Sequence, residues 1–117
     1  MTRLGLLLAS LLLATPAWAV NLTTATFSWT APVVDATHGA PTVYTLKCGT
    51  ATGGPYSTTV TVAAPATSAL VKQVVPTPGT YFCIVTASNA GGESGPSNEV
   101  TFQSAYPPSS PSGLTVQ

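Results

Sequence analysis

Apolar and polar residues alternate one for one along much of the chain, most clearly over residues 81–88. There Tyr81, Cys83, Val85 and Ala87 fall on one parity and Phe82, Ile84, Thr86 and Ser88 on the other. That is the period-2 pattern of a strand with one face toward a core, and Asn89-Ala90-Gly91-Gly92 follows as a turn. The same pattern predicts a strand around Phe27 and Trp29, with Thr26, Ser28 and Thr30 outward. It predicts another over 43–48, with Tyr44, Leu46 and Cys48 inward and Lys47 in water. A third runs over 56–62, where Tyr56, Val60 and Val62 oppose Ser57, Thr59 and Thr61. Residues 70–75 (LVKQVV) are apolar at both parities and are expected as a strand of open facing. Val100 and Phe102 share a face of a closing strand over 98–102. Gly- and Pro-rich stretches between these runs are turns, and no helical period occurs after Ala19. Short strands at this spacing define an all-β sandwich of two packed sheets.

Composition adds an address. Arg3, the apolar run 4–14, Pro16 and Ala17-Trp18-Ala19 read as a secretory leader cleaved after Ala19. The apolar run is far shorter than the roughly 20 residues that span a bilayer. No lipid-accepting cysteine follows the cleavage position. The expected organisation is a signal peptide at 1–19, one domain at 20–102 and a Pro/Ser-rich tail at 103–117. The product is secreted, extracellular or periplasmic, and free of the membrane. Trp29 is then its only tryptophan and the expected centre of its core. Charged residues make up 5% of the chain and the formal net charge is zero, so nothing draws it to nucleic acid.

From residue 26 to 102 the chain resembles a fibronectin type III domain, an immunoglobulin-like antiparallel β-sandwich. Phe27-Ser28-Trp29-Thr30-Ala31-Pro32 is similar to that family's second strand, and Tyr44-Thr45-Leu46 to its third. Tyr81 to Asn89, with Gly91, Ser94, Pro96 and Ser97, is similar to the sixth strand, its loop and the start of the seventh. The resemblance implies a core including Phe27, Trp29, Tyr44, Leu46, Tyr81, Val85, Val100 and Phe102. It makes Tyr81 a corner tyrosine bonded back to the chain that enters its strand. Two departures stand out: the Pro78-Gly79 before that tyrosine is offset by one residue, which leaves the fifth-strand register open, and the first strand is short or missing between Val20 and Thr24.

By the same resemblance Cys48 and Cys83 face inward on neighbouring antiparallel strands. In an exported chain they are expected to bond, the alternative being two buried thiols. Catalysis is not expected, because one histidine and scattered acids form no nucleophile–base pair. Asp35 and His38 supply only two ligands, so no metal and no cofactor is expected. The 49–55 loop lacks the lysine of a phosphate-binding loop, and Asn21-Leu22-Thr23 matches a glycosylation acceptor only as a three-residue pattern.

The implied role is a non-catalytic binding or adhesion module for a protein or carbohydrate ligand. Its contact surface lies on the loops 33–42 and 89–96, with Val33, Val34, His38, Asn89 and Glu93 as candidates. An accessory module of an extracellular enzyme system is an alternative. A structural subunit is another: Leu114, Thr115 and Val116 look like a first strand that the head of the domain lacks. Three outcomes are open for that segment: a disordered tail, or pairing beside the open Phe27–Trp29 edge, of its own chain or of the next.

Overall fold

The computed structural model describes residues 18–117. Their elements are strands β1 (Trp18–Asn21), β2 (Thr26–Ser28), β3 (Val43–Gly49), β4 (Thr58–Ala63) and β5 (Ser68–Leu70), the helical turn α1 (Val71–Val74), and strands β6 (Gly79–Asn89), β7 (Gly92–Glu93) and β8 (Val100–Ala105). The larger sheet runs β1-β8-β6-β3-β4, with β7 hairpinned onto β6, and the smaller sheet is β2-β5. All pairs are antiparallel except β1 with β8. The expected sandwich is therefore present, and the leader-like run 1–17 lies outside the described residues.

β6 is long because its sequence alternates without a break, and it has neighbours on both sides. It pairs with β3 from Ser88 to Phe82 and with β8 from Gly79 to Cys83. In this register Cys48 lies directly opposite Cys83, and the two form a disulfide. The bond sits in the core with Leu22, Leu46, Val71, Val74, Val75 and Phe102. At the start of β6 the Tyr81 hydroxyl donates to the Thr77 carbonyl at 2.8 Å and lies 2.9 Å from the Thr77 hydroxyl. This is the expected tyrosine corner, and the one-residue offset of Pro78-Gly79 does not disturb it.

Several expectations are corrected. The segment 70–75 is not a strand: β5 stops at Leu70, and Val71, Val74 and Val75 are buried from one helical turn while Lys72 and Gln73 face out. An i, i+3, i+4 set is a helical period, which is why both parities looked apolar. The first strand is short but not missing. It begins at Trp18 and lies parallel to β8, so Val20 pairs with Ser104 and Leu22 turns fully into the core. Cleavage after Ala19 would remove half of this ladder. β8 runs to Ala105, past the expected domain end at residue 102, because Gln103 and Ser104 still pair with Thr80 and Gly79.

Two presumed core positions also move. Trp29 is half-buried at the margin, edge-on to Tyr44 at 5.3 Å between ring centroids, and the centre belongs to the disulfide and Leu22. Val100 is 42% exposed, because β1 covers the outer edge of β8 only from Phe102 to Ala105.

Candidate functional site

The antiparallel register of β3 and β6 brings the loops 29–42 and 89–96 to one pole of the sandwich, since Val43 pairs with Ser88. Short polar bonds then fasten the loops together. The Thr42 amide donates to the Ser88 carbonyl at 2.8 Å, and the Thr42 hydroxyl donates to the same oxygen at 3.2 Å. Asn89 donates through Nδ2 to the Ala40 carbonyl at 3.1 Å and accepts the Gly91 amide at 2.7 Å. The chain reverses at Gly92, whose φ of 126° suits glycine, and enters β7.

Between the loops lies a concavity of about 610 Å³ whose walls include Val33, His38, Pro41, Asn89, Glu93 and Ser94. Four of the five expected loop residues thus converge. Val34 does not line this space and stands exposed beside it.

The charges here are engaged with the protein itself. His38 Nδ1 sits 2.8 Å from Asp35 Oδ1, which also accepts the Thr37 amide at 2.9 Å. These bonds, that of the Thr37 amide foremost, hold the Asp35 carboxyl below its usual range. Glu93 meets Lys47 Nζ at 2.7 Å and accepts the Thr86 hydroxyl at 2.6 Å, and both bonds, Lys47 first, lower its pKa. Lys47 is consequently half-buried under Glu93 rather than free in water. Among the described residues no three His, Cys, Asp or Glu side chains converge on one point. What the pole offers is shape, exposed apolar surface and hydrogen-bonding loops, with Val33 77% exposed.

A second polar device had no signal in the sequence. Glu99 accepts the Thr52 hydroxyl at 2.6 Å and the Gly53 amide at 2.9 Å, together with the Tyr56 hydroxyl. It ties the β3–β4 loop to the segment that leads into β8. Thr52, Tyr56 and Gly53, in that order, hold the Glu99 carboxyl below its usual range, and Glu99 raises the Tyr56 phenol in return. The acid and its partners are more than forty residues apart, so no local pattern links them. The tail, by contrast, touches its domain through the Tyr106 hydroxyl, which donates to the Pro76 carbonyl at 3.3 Å, while Leu114 and Val116 are almost fully exposed.

A two-sheet sandwich with a tyrosine corner, a buried disulfide and loops gathered at one pole defines an immunoglobulin-like β-sandwich scaffold. The chain belongs to the fibronectin type III domain family, whose sequence profile matches residues 15–103. No curated protein and no solved structure matches it.

Proposed function

We propose that the chain is an exported, non-catalytic binding module whose contact surface is the pole formed by the loops 33–42 and 89–96. The observation that carries this reading is the concavity at that pole, with its two loops bonded to each other through Asn89 and Thr42. Such bracing keeps a contact surface in shape before a ligand arrives, which lowers the ordering cost of binding. Val33 and Val34 provide apolar contact, and His38 and Asn89 provide polar contact at the rim. Glu93 positions the turn through Lys47 and Thr86 rather than serving as a free charge.

Export is supported by the leader-like N-terminus and by a buried disulfide, which persists in oxidising compartments. No described helix is long and apolar enough to cross a membrane. The ligand class is a protein surface or a glycan. The test is capture from extracellular material and from a glycan array, with the native chain beside Val33→Asp/Val34→Asp and Asn89→Ala variants. Loss of the captured partner in both variants, with unchanged melting temperature for Val33→Asp/Val34→Asp, is the expected result. Undiminished capture by both would move the site elsewhere.

A further inference from the structure

The smaller sheet leaves one of its strands half-partnered. On β2 the Phe27–Ala69 pair, the Trp29 amide bonded to Thr67 and the Ala25 carbonyl bonded to Val71 all point toward β5. By strand geometry the N–H and C=O groups of Thr26 and Ser28 point the other way. Among the described residues no hydrogen bond reaches them there.

β1 does not fill this side, because it pairs with the C-terminal half of β8 instead. A groove of about 660 Å³ remains between the free edge of β2 and the start of β8. Its walls include Phe27, Trp29, Leu46, Val85 and Val100, so an unpaired strand edge runs beside apolar surface. Such an edge is a template for an added strand, and an apolar floor selects one with alternate apolar side chains.

The chain carries such a segment. Leu114 and Val116 lie two residues apart, so in a strand they share a face while Thr115 takes the other. Both stand free of the domain, at 98% and 96% exposure.

We infer that residues 113–116 of one molecule add as a strand to the free edge of β2 in a second copy, setting Leu114 and Val116 into the groove. A second copy is favoured over the molecule's own groove by where the tail leaves. The bond from Tyr106 to Pro76 holds the start of the tail beside the α1–β6 connection, past the C-terminal end of β8, whereas the groove lies against the start of that strand. Pro107, Pro108 and Pro111 then stiffen the spacer into an extended path. Because donor and acceptor surfaces differ, the contact is head-to-tail and builds open chains. The groove is on a flank of the sandwich and does not use the polar-loop concavity, so this interaction stands apart from ligand capture by the pole.

The experiment uses the exported chain, its N-terminus read by mass spectrometry, in light scattering over a concentration series. Native chain is expected to grow in mass with concentration, while Leu114→Asp/Val116→Asp stays monomeric with an unchanged monomer melting temperature. A synthetic peptide of residues 107–117 is expected to raise the melting temperature of that variant by roughly 5 °C and to block growth of the native chain. A native chain that stays monomeric throughout overturns the inference. So does a monomer that loses thermal stability on Leu114→Asp/Val116→Asp, since its tail would occupy its own groove. Growth that persists in the variant overturns it as well, because some other surface would be responsible.

Discussion

Strands β6 and β2 show how differently one alternating pattern is spent. β6 has β3 on one edge and β8 on the other, a disulfide to β3 and a tyrosine corner at its head. From Tyr81 to Asn89 its residues on both parities are buried or half-buried, Ile84 and Thr86 on the outer face included. β2 has one neighbour and three residues of strand, and its Phe27, with the adjoining Trp29, is half-buried beside an open flank. Alternation predicts which face of a strand is apolar. It does not predict how many neighbours the strand will have, and that number decides how far the face is buried.

The contrast can be broken most severely at the closed end. Cys48 and Cys83 are separated by 35 residues, and removing their bond by Cys48→Ala/Cys83→Ala is expected to cost about 4 kcal/mol from the closed-loop entropy. Chemical denaturation of the two proteins measures this, and a loss under about 1 kcal/mol would show that β3 and β6 hold their register without it. Leu22→Ala should come next, at about 3 kcal/mol, since a fully buried leucine leaves a cavity. A truncation on the open flank, Val100→Ala, should cost less, about 1 kcal/mol, because that side chain is already 42% exposed. Equal losses at the two sites would erase the distinction between closed core and open groove.

Smaller effects sharpen the picture. Tyr81→Phe removes the hydroxyl that meets Thr77 and is expected to cost about 1 kcal/mol, read as a lower melting temperature. Acid should act through Glu93 and Glu99. Both carboxyls are held below the ordinary value of 4.5, so the folded state favours their ionised forms. Their contribution is present above the unfolded-chain value and fades as pH falls below about 4.5 through the lowered folded values. Melting temperature should therefore be level from neutral pH down to that region and decline below it, less steeply in Glu99→Gln. Glu93 is exposed and Glu99 only half-buried, which keeps the effect the smallest of the set.

How much of this was legible in the sequence follows from the same contrast. β3, β4 and β6 stand out because their alternation is long, and pairing Cys48 with Cys83 needed only parity and the neighbourhood that the family resemblance implied. The turn at α1 was present in the spacing of Val71, Val74 and Val75 but hidden by its brevity, since four residues give barely one helical period. β1 was obscured because its first residues also read as the end of a leader, and its parallel place beside β8 is set by the sheet rather than by its own residues. Of the pole, the loops and most of their residues could be named in advance. The bond from Asn89 to Ala40 and the clasp around Glu99 join segments far apart in the chain, and only the folded register brings them together.

One flank of the sandwich is open at β2. Amide hydrogen exchange in the monomeric Leu114→Asp/Val116→Asp protein tests it most directly, by comparing adjacent residues of that strand. The Phe27 amide, which faces β5, should be protected, and the Ser28 amide, which faces the groove, should exchange freely until the 107–117 peptide is added. Protection of Ser28 equal to that of Phe27 before any peptide is present would contradict the account, because the flank would already be closed.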